Sequence, residues 1–267
     1  RVTPDQMPEK RPWFTPGQYC VLGMNNQDKP ELGSVRRSMS IASAPEDAGP
    51  IEFYGRWVAK PESENPLTHL LWKLKNGDRM YMRAVAAGVF TVKDTIGDDD
   101  PRIRVMVAAG TGSAPFVSMV RSGLRRNPAA DLSRYVLLHG ASYPADLGYR
   151  EELAGMVATN KLKYWGSVSR YKDHPEWTGD KGRVESFFEP ERLTDLEARL
   201  GLAQAGALSA PSWLVSTRER SRSRLPLLAA LCSGVVPSFA FSSNFAPFST
   251  RSEERRVGTE CCVSCRS

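Results

Sequence analysis

Arg102–Gly123 reads RIRVMVAAGTGSAPFVSMVRSG, and the fold assignment turns on it. Val105, Met106, Val107, Ala108 and Ala109 form a short unbroken apolar run, the pattern of a strand buried on both faces. The run stops at Gly110-Thr111-Gly112-Ser113. Pro115 follows where a first helical turn tolerates a residue without an N–H. Phe116, Met119, Val120 and Leu124 then recur at helical spacing. Strand, glycine turn and helix together aim backbone N–H groups and a positive helix end at an anion. The turn reads GTGSAP and does not meet the GxGxxG dinucleotide fingerprint, so alone it is equally the turn of any α/β domain.

Length and composition set the frame. With 267 residues the chain is long enough for two domains. Its 41% hydrophobic and 25% charged residues are those of an ordinary globular protein. No apolar run is long enough to span a bilayer and no signal peptide opens the chain, so neither membrane insertion nor secretion is expected. The chain opens at Arg1 without a methionine, and strand-like sequence follows at once, so an earlier natural start is expected.

The formal charge of +6 is uneven. From Ala203 onward eight arginines face four glutamates, +4 of the total, and the remaining +2 gives no reason to expect nucleic acid. Before residue 203 the chain has a single cysteine, Cys20, which suits a reducing, cytoplasmic compartment. Cys262 and Cys265 at the end have metal-like spacing but no second ligand pair, so no metal is expected.

Read in order, residues 12–24 place the turn Thr15-Pro16-Gly17 before an apolar strand. Arg36–Ser43 continues it, Ile51–Trp57 alternates imperfectly, and Arg79–Arg83 and Gly88–Val92 read as further strands. Short strands rich in Gly and Pro predict a small antiparallel barrel over residues 1–100. Within it Asn65-Pro66-Leu67-Thr68 opens a helix, with Asn65 as cap and Leu67, Leu70, Leu71 and Leu74 as its apolar face.

After Asp98-Asp99-Asp100-Pro101 the rhythm becomes strand–helix alternation, which predicts a parallel α/β domain over 101–202. Its strands are Val105–Ala109, Tyr135–His139 and Leu162–Ser169. Tyr149–Val157 and a segment opened by Glu189-Pro190 supply helices. His139 and His174 read as structural or exposed, because neither has a legible relay partner. From 203 lysine disappears, and Leu225–Leu231 is at most a helix fragment without a polar face. Residues 203–267 therefore read as a tail produced by loss of frame near 203, with RSEERRVGTEC resembling translated sequencing adapter. A disordered native tail is the alternative.

One set of motifs stands in order over 12–202. They are Arg37-Ser-Met-Ser40-Ile-Ala-Ser43, Pro66-Leu-Thr68, Gly110-Thr-Gly-Ser-Ala-Pro115, Leu138-His139-Gly140, Tyr149-Arg-Glu-Glu-Leu153, Val168-Ser-Arg170, and Trp177-Thr-Gly179 running to Arg183. In this the chain resembles the ferredoxin–NADP(+) reductase superfamily, on the side of the bacterial ferredoxin or flavodoxin reductases. The resemblance implies an FAD-binding antiparallel barrel followed by an NADP-binding α/β domain. It also implies hydride transfer between NADPH and flavin, with ferredoxin or flavodoxin as electron partner and a monomeric state.

By the same resemblance Arg37 would hold the FAD pyrophosphate, and Met39 and Ser40 would lie beside the flavin ring. Leu67 and Thr68 would present a helix start to the pyrophosphate. Thr111 would stand where nicotinamide meets flavin, with Gly110 and Gly112 leaving room. Ser169, Arg170 and Arg183 would grip the 2′-phosphate, and Ser40 and Thr111 would be the residues at the reacting atoms.

The chain departs from the family pattern in three places. Met39 replaces an aromatic residue, and Ser142 stands where an arginine is common. No counterpart of the family's late strand with its Cys-Gly turn is legible after 202, so the α/β domain is expected to be incomplete. An oxygenase reductase component, a free-flavin reductase and a non-catalytic flavin-binding fragment are the alternatives.

Overall fold

A computed structural model describes residues 1–9, 11–202, 227–231 and 260–265, the last two segments by backbone alone. It divides into two compact units. The first comprises Arg1–Gly97 and Ala114–Pro128 with the 260–265 strand; the second comprises Asp98–Ser113 and 129–202 with the 227–231 strand.

In the first unit β1 (Val2–Pro4), β2 (Tyr19–Asn25), β3 (Ser34–Ser40) and β4 (Arg79–Arg83) belong to an antiparallel sheet. Alternation decides its inner face. Met80 and Met82 are buried while Arg79, Tyr81 and Arg83 point out, and Cys20 and Leu22 are buried on β2. Each fully buried side chain of this size contributes about 1.5–3 kcal/mol of transfer free energy. The register places Leu22 opposite Arg37 and Cys20 opposite Met39. A further strand, Glu260–Cys265, lies between β1 and β4, giving five strands.

The described strands form an open sheet; a closed barrel is not present among them. Instead of a strand over Ile51–Trp57, single bridges join Ile51 to Val2 and Phe53 to Ile41. Gly88–Val92 is not a strand either. Ala87 makes one bridge to Tyr19, and the chain then turns into α2 (Val92–Thr95) because the Thr91 hydroxyl accepts the Asp94 N–H at 3.1 Å.

α1 (Leu67–Leu71) forms as expected, with Leu67 and Leu70 buried, but Pro66 stands at its cap. The Asn65 amide is engaged elsewhere, accepting from Asn26 at 2.9 Å and donating to the Leu32 carbonyl at 3.2 Å. The Thr15–Gly17 turn needs its glycine. Gly17 has φ +101°, and a Cβ there would lie 1.9 Å from the Phe90 carbonyl oxygen.

α3 (Ala114–Arg126) packs within the first unit. Ser118 Oγ donates to the Ser43 carbonyl at 2.7 Å, and Arg121 donates to the Ala42 carbonyl at 3.0 Å and to Glu52 at 3.1 Å.

The second unit is a parallel sheet of β5 (Arg104–Ala109), β6 (Tyr135–Ala141), β7 (Lys163–Val168) and β8 (Asp180–Lys181). Val105, Met106, Val107 and Ala108 are fully buried, as a run covered on both faces requires. α4 (Arg150–Asn160) joins β6 to β7. α5 (Pro190–Leu200) starts on Pro190 and stops on Gly201 at φ +74°, and it lays Leu196 and Leu200 on Val105, Val107, Val136 and Leu138.

Leu227–Leu231 is a strand parallel to β5 and not a helix fragment. An apolar run without a polar face suits a covered strand as well as a buried helix. It also supplies a late strand beside β5 where the sequence showed no counterpart. The sheet order is therefore β8-β7-β6-β5 followed by this strand. The rest of 203–267, including Cys232 and the adapter-like segment up to residue 259, lies outside the described residues, as do the side chains of Cys261, Cys262 and Cys265.

Candidate functional site

Strand order reverses at β5: later strands pair outward on one side through β6, and the last strand pairs on the other. Ligands of open α/β sheets bind beyond the carboxyl ends of strands at such a point. Gly110 stands there, with φ +54°, in a 3-10 turn running to Ser113. A Cβ on Gly110 would meet nothing within 4 Å, so the left-handed backbone demands glycine while the space outside stays open. Thr111 is half-buried and Gly112 buried.

Two donors fix the Gly110 carbonyl: Ser113 Oγ at 3.2 Å and His139 Nε2 at 3.0 Å. A carbonyl only accepts, so Nε2 carries the proton and Nδ1 accepts from the Tyr164 hydroxyl at 3.3 Å. His139 is fully buried, and burial pushes its pKa down to about 4, leaving a neutral ring at pH 7. No partner for His139 was legible from sequence, because Gly110 lies 29 residues away and is reached across the β5–β6 pair. His174, also read as lacking a partner, sits 2.8 Å from Glu176.

The carboxyl ends of β6, β7 and β8 are laced together. Ser169 N–H donates to Ala141 and Arg170 N–H to Ser142, both at 3.0 Å, and Gly182 N–H donates to Val168 at 2.9 Å. This brings Ser169, Arg170 and Arg183 to one edge. Arg170 is exposed, with its guanidinium 5.2 Å above the Tyr143 ring. Arg183 is exposed, and its guanidinium lies 3.4 Å from Glu185.

In the first unit Arg37, Met39 and Ser40 follow one another along β3. Arg37 is exposed and donates to the Arg36 carbonyl at 2.8 Å; among the described residues no carboxylate pairs with it. Met39 is half-buried and lines an open cleft of about 420 Å³ with Phe53, Gly55, Leu71 and Trp72. Ligand pockets commonly fall in this range. The Cβ that Gly55 lacks would come 3.7 Å from Met39 Cε, so the glycine helps to keep the cleft open. Leu67 is buried and Thr68 half-buried at the start of α1, whose Leu71 reaches the same cleft.

A parallel sheet in this order, opening at its switch point on a glycine turn, is the arrangement of a nucleotide-binding α/β domain, and the comparisons supply the class. The family model described as "Oxidoreductase NAD-binding domain" matches residues 106–200. Flavodoxin/ferredoxin–NADP reductase of Escherichia coli K12 is 33% identical over 197 residues, 71% of this chain and 68% of that protein. Ferredoxin–NADP reductase B of Sorangium cellulosum is 33% identical over 171 residues. That alignment covers 63% of this chain and 64% of the relative, so the chain spans less than two thirds of the Sorangium protein's length.

The crystal structure of a ferredoxin NADP+ reductase from Neisseria gonorrhoeae with bound FAD and NADP superposes with a TM-score of 0.60 at 19% identity. It covers 85% of this chain and 89% of that one. The chain belongs to the ferredoxin/flavodoxin–NADP reductase family.

Proposed function

We propose that this chain is an FAD-dependent oxidoreductase that takes hydride from NADPH and delivers electrons to ferredoxin or flavodoxin. The identity to the Escherichia coli reductase, spread over both units, carries the reading. When bound, FAD supplies the chemistry that accepts two electrons as hydride and releases them one at a time.

The residues of the first unit suit that group. Arg37 offers a guanidinium fork to a pyrophosphate, aided by the α1 start at Leu67 and Thr68. Met39 would present its thioether to the ring system and Ser40 would offer a hydroxyl to it. The same reading completes the antiparallel sheet as a barrel: the 51–53 segment, already bridged to Val2 and Ile41, would join its two edges.

In the second unit Gly110 and Gly112 leave room for the pyridine nucleotide and Thr111 orients its reactive end. Ser169, Arg170 and Arg183 hold the 2′-phosphate. The protein's share of catalysis is to orient the reactants and exclude water, so no strong acid or base is required. No helix among the described residues is long and apolar enough to cross a membrane; a cytoplasmic monomer is part of the proposal.

Turnover of the FAD-loaded chain with NADPH or NADH tests this, using ferredoxin, flavodoxin and free flavin as alternative acceptors. The expected result is NADPH-dependent reduction of a protein acceptor. Turnover with free flavin alone would move the chain to the flavin reductases, and no turnover with any acceptor would leave a flavin-binding fragment.

A further inference from the structure

A hydrogen-bonded line crosses the second unit from Tyr164 on β7, through His139 on β6, to Gly110 just after β5. The register pairs Leu137 with Tyr164 and His139 with Gly166, so these side chains share one face of the sheet. With glycine opposite, no β7 side chain covers the imidazole directly. A Cβ on Gly166 would stand 3.5 Å from the Tyr164 hydroxyl and 3.1 Å from Leu147, so the space it would take is left to those two groups. The hydroxyl lies 3.3 Å from His139 Nδ1, and Nε2 lies 3.0 Å from the Gly110 carbonyl oxygen.

A neutral imidazole carries one proton and has two places for it. On Nε2 the proton is donated to Gly110. On Nδ1 it would leave the Nε2 lone pair facing the carbonyl lone pairs, and that carbonyl would keep Ser113 Oγ but lose His139 as a donor. Which nitrogen is protonated is set by the hydrogen bond the other makes, and a hydroxyl donating to Nδ1 selects the tautomer that grips the turn. The Gly110 carbonyl and the Thr111 N–H belong to one planar trans peptide. Holding the oxygen toward the buried ring therefore aims the N–H the opposite way, at the residue read as orienting the nicotinamide.

We infer that Tyr164 is a positioning residue of the dinucleotide site: it keeps His139 in the Nε2–H tautomer and through it sets the Gly110–Thr111 peptide for the pyridine nucleotide. The inference rests on the NADPH reading above and adds to it a residue that acts through His139.

Imidazole nitrogen chemical shifts of the full chain, with His139 assigned by its loss in His139→Gln, read the tautomer without any cofactor. The parent should show Nε2 protonated and Nδ1 bare, and Tyr164→Phe should show an Nδ1-protonated population. Anaerobic stopped-flow reduction of the FAD-loaded chain by NADPH reads the consequence. Tyr164→Phe should slow the reduction step about fivefold, the scale of one neutral hydrogen bond, at unchanged apparent NADPH affinity. In the His139→Gln background the same substitution should cost nothing further, because its effect passes through the ring. A single Nε2–H tautomer in Tyr164→Phe, a parental reduction step, or an equal further loss in the His139→Gln background would each overturn the inference while the NADPH reading stands. A parent chain whose flavin NADPH does not reduce would sink that reading, and this inference with it.

Discussion

His139 holds the glycine turn through one proton, and that proton makes its role measurable. The unfolded ring takes up a second proton near pH 6.5, whereas burial keeps the folded ring neutral down to about pH 4. Stability present above pH 6.5 is therefore lost as pH falls toward 4, by about 3 kcal/mol from this residue. Urea unfolding at pH 7 and pH 4.5 should show a larger loss for the parent chain than for His139→Gln. Equal losses would mean that His139 does not bury a neutral ring at Gly110.

At this scale the sequence was partly legible. The Arg37–Ser40 and Ser169–Arg170 motifs lie on a strand and at a strand end as read, because apolar runs and alternation are local patterns. The partners of His139 and Asn65 were not legible, because each is set by a residue far along the chain.

Among the elements, α3 depends on more than its apolar face. Its buried Ser118 hydroxyl and the Arg121 guanidinium supply hydrogen bonds that loop carbonyls of residues 42–43 would otherwise lack. Ser118→Ala should cost about 1–2 kcal/mol, the price of a buried acceptor left unsatisfied. Arg125→Ala, which removes a pair whose arginine side chain is 61% exposed, should change stability by less than about 0.5 kcal/mol. Thermal unfolding of the two variants checks this; equal effects would show that the Ser118 bond does not hold the helix.

Periodicity found β5, β6, β7, α3 and α5 because each has one clear apolar pattern; α4 also forms, but of the face traced for it only Leu153 is buried and Val157 is exposed. Periodicity failed where pattern and cap disagreed. Gly88–Val92 looks apolar enough for a strand, yet Thr91 and Asp94 form a capping pair that starts a helix. Leu227–Leu231 had no polar face to reveal its period, and only its pairing with β5 makes it a strand.

For the molecule as a whole, the change of rhythm after Pro101 announced a parallel sheet in the second half, and motif order announced the family. The five-stranded order of each sheet was not legible, because the strands at 227–231 and 260–265 come from a segment without readable periodicity. On the proposed function, this chain accepts FAD and draws hydride onto it from NADPH. Anaerobic titration of the FAD-loaded full chain with NADPH, followed by the visible absorbance of the flavin, tests it most directly. Stoichiometric bleaching by NADPH, with NADH much less effective, is the expected result; a flavin that binds but keeps its absorbance through excess NADPH would contradict the account.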